Sequence, residues 1–473
     1  MADPMLLLYN ARDVSRTDAL YTPLLMDVVE AGAGRAYSEI SQGMLKATIE
    51  MTLRGVGMSA KRRGELHATY SDRVQAANDK LKALGITQNP DSPQQLADLL
   101  FRQWGFSPKS YTERGHPSVN EDTLLQLTQE NPGDERFQAL LNARHERNML
   151  STYIEGPRMG PDGRIHPVWR SWGTVSWRLA SREPNLQNIP RDEPDVMLRS
   201  LYCADPGNVL VHVDFSQVEF RWQAYLSGDV LMISRFENYD RAKKEFAELK
   251  RKTKDPTLIA NAARDLKRMD PHVINAAAMW RVPADDVDEA MRFRAKIFVY
   301  GLMYGGSPEA IMARGGRGLS RDTANLENLQ EMSKRFFDTY PIWTTWRRLY
   351  AMQARLSGKV VNAITGAPRI WFGRRTSAIE REAQDYAGQG HAAAVMNRAH
   401  LRIEKRLTVE GIKPGVILQI HDALIAECPE RQRDLVHGIM VEEMQTPVEF
   451  EGRNIVFPTG SKFGTNWLDA SND

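Results

Sequence analysis

Two short apolar runs, far apart along the chain, limit how this protein can fold. Val209-Leu210-Val211-His212-Val213 and the run from Gly415 to Ile420 are rich in β-branched residues and bounded by turn formers, which predicts buried strands. Each runs into an acid. Asp214 follows the first, and His421-Asp422 stands at the bend between the second and a further strand from Leu424 to Glu427. The rest of the chain has a different texture. The first thirty residues read as a helix ended at Gly32 and Gly34, with Met5-Leu6-Leu7-Leu8 as the edge of a folded element. From about Tyr37 to Leu150 apolar residues recur at helical spacing, interrupted by a polar, basic loop from Gly105 to Pro117. Strand-like texture from Ile165 to Val213 gives way to helix from about Ser234 to Gln389, including a basic stretch from Arg241 to Lys254. This order predicts a sheet-bearing platform whose two halves flank an inserted helical lobe.

The 473 residues exceed what one ordinary core organises, so two to four lobes are expected. Hydrophobic residues at 42% with charged residues at 26% exclude a disordered or membrane-embedded chain, and no apolar run approaches a bilayer span. The opening Leu run lacks the basic region of a secretory leader. Cys203 and Cys428, the only cysteines, exclude a Cys-rich zinc site and a disulfide framework, and fit a reducing, cytoplasmic setting. The net charge of +2 does not announce a nucleic-acid binder, although basic walls around an acidic centre give the same sum.

Four groups of residues could carry chemistry. Asp214 alone reads as a strand cap, and Asp422 alone as an acid in a bend. Together, two strand-end aspartates facing each other would supply hard oxygen ligands for a pair of Mg²⁺ ions, which favour one or two carboxylates plus substrate phosphates. Arg292, Lys296, Tyr300 and Tyr304 fall on one helical stripe ended by Gly305. The cations suit a triphosphate and the rings a base, but a solvated basic end running into a core-facing aromatic end explains the stripe equally well. Arg178-Leu179 and Pro184-Asn185-Leu186-Gln187-Asn188-Ile189-Pro190 read either as loop polar groups or as donors to the minor groove. The acceptors presented there by every correct base pair allow inspection without sequence readout.

Asp214-Phe-Ser-Gln-Val-Glu-Phe-Arg221, Arg292-x-x-x-Lys296-x-x-x-Tyr300-x-x-x-Tyr304-Gly305 and Gln419-Ile-His-Asp422 resemble, in order, motifs A, B and C of the family-A DNA polymerases. So do the Arg178-Leu and Pro184–Pro190 segments, Asp270-Pro-His272, Gln389-Gly390 and Gly464-Thr-Asn-Trp467, with Ser92-Pro-Gln-Gln-Leu96 and Leu150-Ser-Thr-Tyr153 as thumb segments. The resemblance covers nearly the whole chain. It implies an α+β right-hand fold with a thumb, a palm built on an antiparallel sheet, and helical fingers. The expected lobes are an exonuclease remnant at 1–34, the thumb and a connecting segment at 35–160, palm at 161–235, fingers at 236–388 and palm again at 389–473. It further implies DNA synthesis on a primer–template from deoxynucleoside triphosphates, with two Mg²⁺ (or Mn²⁺) ions held by Asp214 and Asp422, in a monomeric phage or bacterial enzyme. Arg292, Lys296 and His272 would grip the triphosphate, with Lys296 the acid for the leaving group. Glu219 would be the steric gate against ribonucleotides, Gln217 and Tyr300 would line the nucleotide site, and Tyr304 would stack near the template base. Arg178, Gln187, Asn188, Gln389 and His421 would contact DNA, supported by Arg381.

Four positions depart from the family pattern. Ala423 stands where a third acid usually follows motif C, Trp177 where Gly usually precedes the Arg, Asp385 where Asn is expected, and Tyr300 where many bacterial relatives carry Phe. Asp385 would weaken a DNA contact by repulsion, and the Tyr300 hydroxyl would weaken discrimination against dideoxynucleotides. Tyr9-x-x-x-Asp13 resembles the last motif of a proofreading exonuclease whose earlier acidic motifs are missing, so no proofreading is expected of this chain. Two other readings compete: a single-subunit RNA polymerase, which Glu219 opposes, and a catalytically inactive DNA-binding homologue, which the retained acids and cations oppose.

Overall fold

The computed structural model describes residues 4–171, 173–190, 195–308, 311 and 326–471. At its centre is a four-stranded antiparallel sheet built from β1 (Asn208–Phe215), β2 (Gly415–Ile420), β3 (Ala423–Pro429) and β4 (Thr459–Gly464), in the spatial order β4-β1-β3-β2. Side chains alternate across a strand. Val209, Val211, Val213 and Phe215 therefore share one face and bury against the helices Ser377–Val409 and Arg433–Met444. Leu210, His212 and Asp214 share the other. Leu210 joins a second core there, and the His212 ring hydrogen-bonds the Ala470 carbonyl at 2.8 Å.

The expected helical and strand-bearing segments are present, with corrections. β3 runs from Ala423 to Pro429, longer than the expected strand. β4 was not anticipated, because its half-exposed residues Thr459-Gly-Ser-Lys-Phe-Gly464 offer no apolar run. The stretch from Tyr37 to Leu150 contains a strand, Val56–Met58, which pairs with Arg164–Ile165 and Tyr202–Cys203. Three residues are too few to register as a periodicity. Likewise, the stretch from Ser234 to Gln389 contains the strand pair Lys359–Val361 and Pro368–Ile370.

Separate cores serve separate parts of the chain. The helices Ala60–Ala83, Glu121–Glu130 and Glu135–Asn148 enclose a cluster that includes Leu81, Leu100, Leu124, Phe137 and Leu140. The helical lobe between β1 and β2 has its own, from Phe220 to Trp343. The first helix, Pro4–Glu30, buries no residue. Met5 to Leu8 stand in its opening turns, at the edge of a folded element as expected, and are exposed there. No helix among the described residues is long and apolar enough to cross a membrane.

One buried ion pair ties the sheet to the segment before it. Glu427 on β3, fully buried, accepts from Arg164 at 2.6 Å, the Asp205 N–H at 2.8 Å and the Asn208 amide at 2.9 Å. Arg164 also donates to the Arg54 and Gly55 carbonyls. Removing one partner strands a charge away from water. Arg164→Ala is therefore expected to destabilise the fold by about 3–5 kcal/mol, read as a lowered urea midpoint in near-ultraviolet circular dichroism.

Candidate active site

The strand register brings the two predicted metal-holding acids together. Ala423 pairs with Asp214 across β1 and β3 and with Ile420 across β2 and β3, and the Phe215 N–H donates to the Asp422 carbonyl at 2.9 Å. Asp214 and Asp422 thus lie side by side at one end of the sheet, both half-buried. His421 takes a left-handed backbone conformation, φ 52°, which allows the tight bend that presents Asp422. Among the described residues no group of three or more His, Cys, Asp or Glu could hold a metal, in keeping with Ala423 beside Asp214. Two carboxylates are nevertheless a donor set that Mg²⁺ accepts when phosphates and water supply the remaining oxygens.

Directly after β1, Gln217 turns the chain through a left-handed conformation, φ 57°, into the helix Val218–Ser227. The Gln217 side-chain oxygen is buried and has no hydrogen-bond partner among the described residues. In the first turn Glu219 is buried, ion-paired to Arg178, and accepts from the Tyr304 hydroxyl at 2.5 Å. Burial pushes the Glu219 carboxyl up, Arg178 and the Tyr304 hydroxyl oppose that, and the Asp422 charge adds to it. Burial beside Glu219 likewise pushes the Tyr304 hydroxyl above its ordinary range. Arg178 and Tyr304, expected at DNA and the template base, are here the two partners of the expected gate.

The stripe on the helix Glu289–Met303 contains both of the characters read from the sequence. Lys296 is exposed, while Tyr300 packs at the edge of the helical core near Phe220 and Tyr304. Arg292 is held by buried Asp270, at 2.9 Å from Nε and 2.8 Å from a terminal nitrogen. Asp270 also caps the helix Pro271–Trp280 by accepting the His272 N–H at 2.7 Å. The His272 ring is buried against Phe220 and Tyr300, and neither of its nitrogens has a hydrogen-bond partner among the described residues. Burial pushes its pKa down to about 3, so the ring is neutral at physiological pH.

The remaining candidates surround a cavity of about 430 Å³, lined among others by Arg178, Gln187, Asn188, Asp385, Gln389 and His421. Most are engaged within the protein. Gln187 accepts the Ser181 N–H at 3.1 Å and donates to the Gln419 carbonyl at 3.0 Å, and Gln389 donates to Asp385. Arg381 is exposed and outside the cavity lining. Its backbone passes so close to Gly305, φ 79°, that a Cβ there would meet Arg381 Cα at 3.1 Å. Trp177 has φ 67°, the left-handed region that favours glycine. The indole takes that conformation while packing on the cluster around Trp371 and Tyr386, and the Trp177 carbonyl accepts from Asn397 at 2.9 Å.

Residues 60–469 match the model of DNA polymerase family A. The chain belongs to that family. It is 27% identical over 490 residues to DNA polymerase I of Chloroflexus aurantiacus, covering 98% of this chain and 47% of the relative. With the thermostable DNA polymerase I of Thermus aquaticus it shares 27% identity, covering 92% of this chain and 48% of that protein. The chain thus spans about half the length of these relatives. The solved polymerase domain of Pol1 from M. smegmatis, in complex with DNA primer-template and dNTP, superposes with a TM-score of 0.75 over 94% of this chain and 73% of that one, at 23% identity. The α+β right-hand fold expected from the motifs is therefore the fold of this family-A chain.

Two residues of this family-A site had no assigned role in the sequence reading. Asp270 fixes Arg292, and the Asp-Pro start of a helix is the signal that marks it as a cap. Gln419 joins Gln187 to Asn397 and His400 through its carbonyl, amide and side-chain oxygen. Only its position in motif C pointed to it. Asp385 carries the clearest pH consequence. Burial, with Glu219 adding and Arg178 opposing, pushes its carboxyl from 3.8 up to about 6. The unfolded chain releases this proton before the folded one does, so Asp385 lowers stability as pH rises through that window and keeps it lowered above. Asp385→Asn is expected to gain on the order of 1 kcal/mol at pH 8, after allowance for solvent, and nothing at pH 3.5. Paired urea denaturations at the two pH values check this.

Proposed function

We propose that this chain is a template-directed DNA polymerase, in which a primer 3′-hydroxyl attacks the α-phosphate of a deoxynucleoside triphosphate and pyrophosphate leaves. The observation that carries the reading is the β1–β3 register, which sets Asp214 beside Asp422 with Glu219, Arg178 and Tyr304 next to them. Asp214 and Asp422 would hold divalent ions, Mg²⁺ or Mn²⁺, which when bound would activate the attacking oxygen and stabilise the leaving one. The chain's own side chains do the rest. Arg292, pre-oriented by Asp270, and exposed Lys296 attract the triphosphate, and Lys296 is the proton donor for the departing pyrophosphate. His272, neutral and with both ring nitrogens lacking a partner among the described residues, is available to donate a ring N–H to a phosphate oxygen. Glu219, held from two sides, closes the space that a ribose 2′-hydroxyl would need, and Tyr300, Tyr304 and Gln217 complete the nucleotide site. Arg178, Gln187, Asn188, Gln389 and His421 face the minor groove of the primer–template, with Arg381 outside them. On this reading the lobes keep the names expected from the sequence: thumb at 35–160, palm at 161–235 and 389–473, and fingers at 236–388. Two free thiols fit a reducing cytoplasm.

Primer extension with the wild type and Asp422→Ala tests the proposal. The substitution is expected to lower single-turnover incorporation by roughly 10²–10³ or more, with primer–template affinity little changed. A wild type that extends no primer, or a variant that extends it equally well, rejects the reading. Glu219→Ala is expected to admit ribonucleotides that the wild type refuses, as competition between the two sugar types would reveal. Tyr300→Phe is expected to raise discrimination against dideoxynucleotides by roughly tenfold, and unchanged chain-terminator uptake rejects that role for the hydroxyl.

A further inference from the structure

The basic stretch noted in the sequence forms one arm of a helical hairpin that leaves the helical lobe. The helix Val230–Lys252 is 23 residues long, yet its last buried residue is Phe236. At 1.5 Å per residue, roughly 24 Å of helix extend past that point. The helix Pro256–Met269 packs back along it and buries no residue at all. Ala242, Phe246 and Leu249 on one arm, with Ile259, Ala262 and Leu266 on the other, are half-buried and form the seam. Within 241–268 the chain has ten Lys and Arg against four Asp and Glu, an excess of six in a protein whose net charge is +2. The rest of the molecule is therefore net acidic, and the hairpin concentrates the positive charge.

The cations are also ordered. Lys243, Lys244, Lys250 and Arg251 fall on one exposed face of the first arm, with Ala247 between them and no acid. None of the four forms an ion pair among the described residues, whereas Lys252 pairs with Glu248 and Arg268 with Asp285 on other faces. The Lys243 and Lys250 ammonium nitrogens lie over the Tyr239 and Phe246 rings, 5.8 and 5.5 Å from the ring centres, and both side chains stay exposed, so their charge is placed on this face without being neutralised. Lys243 to Lys250, and Lys244 to Arg251, are each two turns apart, about 10 Å, which spans about three phosphates along one strand of DNA. An acidic protein would need apolar contacts at the core of an interface, and this face has only Ala247 to offer.

From this geometry we infer that the hairpin is a sequence-independent contact for the DNA backbone, separate from the cavity around Arg178 and Gln187. The inference rests on the proposed function for its ligand, but it is tested by binding rather than synthesis. Affinity of the full chain for a primer–template with a long single-stranded overhang, and for the same duplex without one, is measured by fluorescence anisotropy over roughly 50–200 mM salt. The variant K243A/K244A/K250A/R251A is expected to bind at least one of the two substrates about tenfold more weakly, with a slope of log affinity against log salt shallower by about two to four. Whichever substrate loses affinity names the strand that the hairpin touches. Ala247→Lys, which no loss of folding can mimic, is expected to steepen the same slope by about one. Slopes and affinities unchanged in both variants on both substrates overturn the inference. An active enzyme with unchanged slopes would sink this inference alone, whereas an inactive chain with the expected slopes would sink only the polymerase reading.

Discussion

The site depends on the antiparallel pairing of β1 with β3. A slip of one residue would turn every side chain to the opposite face, and a slip of two would carry Asp214 away from the bend that presents Asp422. What prevents both lies on the far side of the sheet. Val209, Val211 and Val213 share a core with Leu424, Ala426 and Cys428, closed by the helices Ser377–Val409 and Arg433–Met444. Packing that touches no substrate therefore fixes how close the two acids stand.

A second constraint is electrostatic. The buried acids nearest the site each have an arginine: Glu219 has Arg178, Asp270 has Arg292, and Arg221 is clamped to half-buried Asp240 by two bonds of 2.7 Å. These pairs join segments distant in sequence, and each would leave an uncompensated charge if one member were lost. A fourth pair, Arg164 with Glu427, does the same behind the sheet. Positive charge near the site is thus engaged in the interior, and four exposed cations with no ion pair among the described residues stand together on the hairpin.

Much of this was legible because the informative segments are locally redundant. The strand at Val209–Val213 was visible from its own apolar run, and the stripe from Arg292 to Tyr304 from its four-residue step. Asp214 and Asp422 were legible as a pair through the ordered motifs; their adjacency comes from a register that no local pattern encodes. Elements whose character comes from neighbours were silent. β4 is a polar edge strand, Val56–Met58 is three residues long, and Lys359–Ile370 is a small hairpin within helices. The partners of individual side chains were also hidden. Nothing in the order of residues says that Arg178 reaches Glu219 rather than solvent, or that Gln187 leans on the Gln419 carbonyl, because these contacts join residues that only folding brings together.

The internal engagement of Arg178, Gln187 and Gln389 bears on how such a surface could let go of what it holds. Each of these groups already has a partner of comparable quality inside the molecule, so taking up a duplex would replace one hydrogen bond by another and leave little net gain per contact. A grip made of exchanges is weak at every point and therefore reversible. On the proposed function that property would be needed at every step, since any side chain that held DNA much better than it holds its own neighbour would become an anchor.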